Sequence, residues 1–202
     1  RLDLQTVDEA VRRLLVWIDR ELEGGACIHS EEAEARQTPE KLARQAAGEC
    51  AVLLKNNGVL PLKKGSKVAF IGGFAEKPRF QGGGSSNVTV ASSVSALEAA
   101  QSIPNITYAE GFNTIDDTVD EKLQLQAVQA AQDAEVAVIF AGLPSAFEAE
   151  GSDRETLAIP ENQNRLIRAV CGVQPNTVVV FHAGSPVVMP WRDDTAALLY
   201  MY

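Results

Sequence analysis

Apolar residues recur along this chain with two different periods. Between residues 6 and 23, Val7, Val11, Leu14, Leu15 and Ile18 return every three or four positions with charges between them, which predicts one amphipathic helix. Thr6 followed by Glu9 is a capping-box pattern, and Gly24-Gly25 stops the helix. No strand follows nearby to cover its apolar face, so the helix is expected to pack on a domain outside this chain. Residues 27–37 are acidic, rich in small side chains and aperiodic, the pattern of a linker. Thr38-Pro39 then opens a second helix, predicted to run through Leu42 and Ala46 to about Leu54.

From Lys67 the pattern changes. Short, almost wholly apolar runs at 68–71, 106–108, 136–140 and 177–181 predict buried strands, and residues 196–202 predict the start of a fifth. Between them, residues 92–101, 122–133 and 160–172 carry helical spacing; Val94, Leu97 and Ala100 mark the first, Leu166, Ile167 and Val170 the last. Strands that are apolar throughout and alternate with helices imply a largely parallel sheet covered on both faces. The expected fold class is therefore α/β, a three-layer α/β/α sandwich preceded by a separate amphipathic helix and linker.

Composition narrows the function classes. The chain has 202 residues, 46% hydrophobic and 22% charged, enough apolar surface for a sizeable core. A formal charge of −9 argues against a nucleic-acid partner, which calls for clustered Lys and Arg. No apolar run approaches the ~20 residues of a membrane helix, so no membrane partner is expected. Cys27, Cys50 and Cys171 are odd in number and form no CxxC pair, with only His29 near one of them. That spacing predicts free thiols rather than a metal site, and favours a reducing, cytoplasmic setting. The chain starts at Arg1 and stops just past its last apolar run, so it is expected to be a piece of something longer. No cofactor is expected.

Candidate chemistry concentrates at residues 146–154, Ala-Phe-Glu-Ala-Glu-Gly-Ser-Asp-Arg, immediately past the third strand. Ligands of open α/β sheets bind at the carboxyl ends of strands. Glu148 and Glu150 are two residues apart, and two carboxyls are the working parts of most glycosidases. On an extended segment both would face one side, whereas on a turn they diverge; spacing alone equally describes a solvated acidic turn. Asp153-Arg154 reads as an ion pair or a capping aspartate, in either case structural. Gly82-Gly83-Gly84-Ser85-Ser86 fits a close backbone approach to a ligand or a flexible surface loop, and lacks the lysine and glycine spacing of phosphate-binding motifs. His182 has no nucleophile beside it and reads as a partly buried side chain. Trp191, after Pro190, reads as packing in preference to a sugar-stacking platform.

Taken in order, these segments resemble glycoside hydrolase family 3, the β-glucosidase and β-xylosidase family. Val52-Leu53-Leu54-Lys55-Asn56 through Leu60-Pro61-Leu62, Val68-Ala69-Phe70-Ile71-Gly72, the glycine-serine loop at 81–86, Glu150-Gly151-Ser152-Asp153-Arg154, residues 178–186 and Trp191 follow the family's motifs in order and spacing. Ser152 departs from the pattern, standing where many relatives carry Tyr. The resemblance implies three parts: residues 1–25 as the terminal helix of a (β/α)8-like barrel absent here, 26–47 as linker and connecting helix, and 48–202 as the C-terminal α/β domain, cut short at its end. It implies a retaining β-glycosidase, most simply a β-glucosidase acting on terminal β-D-glucosyl residues, whose nucleophilic aspartate lies on the barrel. Glu150 then corresponds to the general acid/base, with Glu148 in reserve; Ser85 and Gly84 to substrate-binding positions; Asp153 and Arg154 to loop bracing. The partners implied are a β-glucoside or oligosaccharide substrate and the barrel, and the isolated piece is expected to be inactive. Two rivals remain open: a non-catalytic carbohydrate-binding or scaffolding domain, and a nucleotide-binding doubly wound domain.

Overall fold

A computed structural model describes residues 3–24 and 38–202. The chain forms two compact units, Arg1–Ala46 and Ala47–Tyr202. In the first, helix α1 spans Leu4–Gly24, and Glu9 anchors Arg12 and Arg13 across one turn at 2.8 and 2.9 Å. Its apolar residues are open to solvent: Val11, Leu14 and Leu15 are 49%, 56% and 58% exposed. The expected linker at 27–37, with Cys27 and His29, lies outside the described residues. Helix α2 spans Pro39–Cys50. The sequence pattern carries it to Leu54, but the helix stops at Cys50 and Val52–Asn56 is a strand, β1. The apolar run Val52-Leu53-Leu54 pairs antiparallel with a strand near the C-terminus, and this distant partner overrides the local helical pattern.

The second unit is a six-stranded sheet in the order β1-β6-β5-β4-β2-β3. Its further strands are β2 (Val68–Ile71), β3 (Ile106–Ala109), β4 (Val136–Gly142), β5 (Thr177–His182) and β6 (Ala197–Met201). All pairings are parallel except β1 with β6. The class is the expected α/β with a largely parallel sheet. Every residue of β4 is buried, because both of its faces are covered; that is why its sequence, VAVIFAG, shows no alternation. Helices α4 (Glu121–Gln132) and α5 (Glu161–Val173) pack side by side, α4 against β2 and β3 and α5 against β4. Leu166, Ile167 and Val170 of α5 are fully buried.

Helix α3 is shorter than its spacing predicts, only Ala96–Ala99. Ser95 accepts from the Glu98 amide at 3.1 Å, while the Glu98 carboxylate accepts from the Ser95 amide at 2.8 Å. This reciprocal cap fixes the start at Ser95, and Val94 is left outside it, 74% exposed.

The topology creates one crevice. After β2 the chain moves outward to β3, then crosses back to place β4 on the other side of β2 and continues through β5 to β6. The direction of winding therefore reverses between β2 and β4. Segments leaving the carboxyl ends of these two strands diverge around a gap, the usual ligand position in such sheets.

Candidate active site

Three segments meet over that crevice: residues 72–88 after β2, 143–159 after β4 and 183–190 after β5. Together with Met201 and Tyr202, at and just past the end of β6, they line an open cleft of about 660 Å3, whose walls include Arg79, Phe80, Ser85, Glu148 and Glu150. The glycine-serine loop and the acidic loop are zipped together by main-chain bonds. The Gly83 amide donates to the Glu148 carbonyl at 3.0 Å, and the Glu150 amide donates to the Gly83 carbonyl at 3.2 Å. Residues 82–86 lie against the acidic loop of the same chain: Gly83 faces Ala149, where a Cβ would press against that side chain.

Glu148 and Glu150 both face the cleft, but they are held differently. Both oxygens of Glu148 are engaged. Its Oε2 pairs with the Arg79 guanidinium at 2.7 Å and accepts from the Gly184 amide at 3.1 Å, while Oε1 accepts from the Ser185 hydroxyl. Burial pushes this carboxyl up, but Ser185, Gly184 and Arg79 together hold it below its ordinary value. Glu150 is exposed, and only Oε2 is occupied, accepting from the Ser85 amide at 2.7 Å and from the Ser85 hydroxyl. These two donors hold its carboxyl below the usual range as well. Gly84, at φ +89°, lies so close that an added Cβ would overlap the Glu150 side chain. Ser85 and Gly84 are thus both in contact with Glu150.

The other sequence candidates fall into place around this pair. Asp153 and Arg154 form no ion pair with each other, and Asp153 caps no helix among the described residues; α5 begins after Pro160. Arg154 instead donates to the Pro186 carbonyl at 2.7 Å, joining the acidic loop to the segment after β5. Trp191 is wholly buried against Phe181, with Nε1 donating to Asn164 at 2.9 Å, which makes it packing. His182 is half-buried beneath the cleft; burial and the nearby Arg79 charge push its imidazole down to about 4, so it is neutral. Among the described residues no group of three or more His, Cys, Asp or Glu could hold a metal ion.

Sequence reasoning missed Arg79, Gly184 and Ser185. Arg79 stands two residues before Gln81-Gly82-Gly83-Gly84, inside a segment whose pattern is dominated by glycines. The usable signal was a lone arginine between a strand's carboxyl end and a glycine loop, facing an acidic loop from the neighbouring strand. Ser185 lies between Gly184 and Pro186, where nothing in the local sequence marks a serine as a carboxylate partner.

Known proteins resemble this chain in sequence and in fold. Residues 51–202 match the sequence model of the glycosyl hydrolase family 3 C-terminal domain. The chain is 45% identical over 207 residues to thermostable β-glucosidase B of Acetivibrio thermocellus, an alignment covering 100% of this chain and 27% of that protein. It is 39% identical over 172 residues to an exo-α-(1→6)-L-arabinopyranosidase of Bifidobacterium longum, covering 79% of this chain and 23% of the relative. The crystal structure of a β-glucosidase from Bifidobacterium adolescentis superposes with a TM-score of 0.75 at 41% identity, over 79% of this chain and 24% of that one. The chain therefore spans about a quarter of the length of these relatives.

Proposed function

The chain belongs to glycosyl hydrolase family 3, and from that premise we propose that it is the acid/base-bearing portion of a longer retaining β-glycosidase, with Glu150 as the general acid/base. One observation carries the choice of Glu150 over Glu148: of the two glutamates in the cleft, it is the one with an oxygen left unengaged. Glu148 has both oxygens committed to Arg79, Gly184 and Ser185, whereas Oε1 of Glu150 accepts no hydrogen bond among the described residues. A group that must hand a proton to a leaving oxygen and later take one from water needs such a free oxygen. Glu148 then serves as a brace. The sugar's partner groups, including the nucleophilic carboxylate, come from a barrel domain N-terminal to residue 48, and α1 is the last helix of that barrel.

The electrostatics support a two-part site. The Ser85 donors favour ionised Glu150, which is the wrong state for an acid. A nucleophile carboxylate ~5–5.5 Å away, together with loss of solvent as the barrel closes over the loop, acts in the opposite direction. The names of the relatives favour β-D-glucosides as substrates, and the arabinopyranosidase keeps other terminal sugars within reach.

Leaving-group dependence in the full-length protein tests this assignment. Glu150→Gln should lower kcat/KM for phenyl β-glucoside by about 10²–10⁴-fold, the range of general acid catalysis. It should leave kcat/KM for the dinitrophenyl glucoside, whose departure needs no proton, close to that of the parent. If Glu148→Gln shows this pattern and Glu150→Gln does not, the roles are reversed.

A further inference from the structure

Arg79 belongs to no motif of the acidic loop, yet it lines the cleft and pairs with one of its two glutamates. It forms an ion pair with Glu148 in which the two side chains are only 10% and 14% exposed. Buried pairs of this kind add little stability relative to apolar replacements, because both charges lose their hydration. This one carries a further penalty: the Arg79 Nε is buried without a partner. Beneath it His182 is neutral, with its own Nε2 buried and unpartnered, so the imidazole does not share the charge of Glu148. An arrangement so poorly suited to stability makes sense where it fixes geometry.

The geometry that it fixes is visible in the order of contacts. Residues 79–85 meet residues 148–150 at three successive levels. Arg79 holds the Glu148 side chain at 2.7 Å. Gly83 exchanges main-chain bonds with Glu148 and Glu150 at 3.0 and 3.2 Å. The Ser85 amide then holds the Glu150 side chain at 2.7 Å. From the third side, the Gly184 amide and Ser185 hydroxyl reach the same Glu148 carboxylate, and Ser185 is itself held by the Tyr200 hydroxyl on its carbonyl at 2.5 Å. Glu148 is thereby a node where segments from β2, β4 and β5 are tied, two residues from the reacting carboxyl.

Resting on the assignment of Glu150 above, we propose that Arg79 is a positioning residue for the acid/base. Its guanidinium clamps Glu148 and sets the register of the glycine-serine loop against residues 148–150, and so the place of the Glu150 carboxyl over the leaving oxygen. A misplacement of about 1 Å in such a group costs on the order of 10²-fold in rate. Without Arg79 the Ser185, Gly184, Gly83 and Ser85 contacts remain, so the loop persists while the first of its three ties to residues 79–85 is lost and its alignment there loosens. Lysine supplies the charge but not the planar fork, and restores the register only in part.

The test is a leaving-group series, from dinitrophenyl to phenyl β-glucoside, on full-length Arg79→Met, Arg79→Lys, Glu148→Gln and the Arg79→Met/Glu148→Gln double variant. Arg79→Met is expected to lower kcat/KM for phenyl β-glucoside by about 10- to 100-fold, with the dinitrophenyl substrate changed by less than about threefold. Arg79→Lys should fall between it and the parent, and the double variant should be no slower than Arg79→Met alone, as expected for groups acting as one unit. An equal loss on every substrate, no loss at all, or losses that multiply in the double variant would overturn the proposal. Glu150→Gln in the same series separates the two claims. If it shows the steep dependence and Arg79→Met does not, only the positioning role falls; if it does not, the acid/base assignment falls and the positioning role with it.

Discussion

Two glutamates separated by one alanine have different environments because each is met by a different neighbour. Glu148 is met by Arg79, Gly184 and Ser185, and Glu150 by Ser85 alone. This gives Ser85 a measurable effect on acidity. Its hydroxyl and amide hold Glu150 down, so Ser85→Ala, which removes only the hydroxyl, should raise the Glu150 pKa. A general acid works in its protonated form, and activity is lost as pH rises through its pKa. The alkaline limb of the kcat/KM profile of full-length Ser85→Ala should therefore move to higher pH; a limb that stays put or moves down would contradict the assignment. At this scale the sequence was half legible. Glu148, Glu150, Ser85 and Gly84 follow motifs and could be located, and the cleft does bring them together. Arg79 and Ser185 acquire their meaning only through contacts across three strands, which no local pattern encodes. Asp153-Arg154 shows the same limit: neighbours in sequence suggest a pair, but the Arg154 guanidinium finds the Pro186 carbonyl instead, a contact that braces two loops.

At the scale of elements, the cleft depends on where strands end. Gly142 closes β4, and Gln163 on α5 grips both of its main-chain groups, accepting from its amide at 3.0 Å and donating to its carbonyl at 2.8 Å. Gln163 is fully buried, so nothing else can satisfy those groups if it is removed. Gln163→Leu should destabilise the protein by roughly 1–3 kcal/mol for each buried group left unpaired, read as a lower urea midpoint with an unchanged slope. An unaltered midpoint would mean that the β4 terminus is secured in another way. The strands themselves were readable because β2, β4 and β5 are buried enough to be almost wholly apolar. β1 was not: its residues are partly exposed, and an apolar run following helical spacing looks like more helix until β6, near the far end of the chain, is placed beside it. The α3 start was written in Ser95 and Glu98, but the Val94 periodicity masked it.

At the scale of the molecule, the α/β unit supplies a cleft in which Glu150 keeps one carboxylate oxygen unengaged, and α1 presents uncovered Val11, Leu14 and Leu15. Under the proposed function both features have the same explanation, a barrel domain that meets the loop and continues into the helix. The chain of residues 1–202 by itself should then release no measurable nitrophenol from an aryl β-glucoside, and turnover at the rate of the full-length protein would refute the two-part site. The most direct test of the central claim is azide rescue. In full-length Glu150→Gln, the glycosyl-enzyme formed from dinitrophenyl β-glucoside lacks its base, and azide, which needs none, should raise kcat and yield the β-glucosyl azide with retained configuration. Rescue of Glu148→Gln with no response from Glu150→Gln would contradict the account.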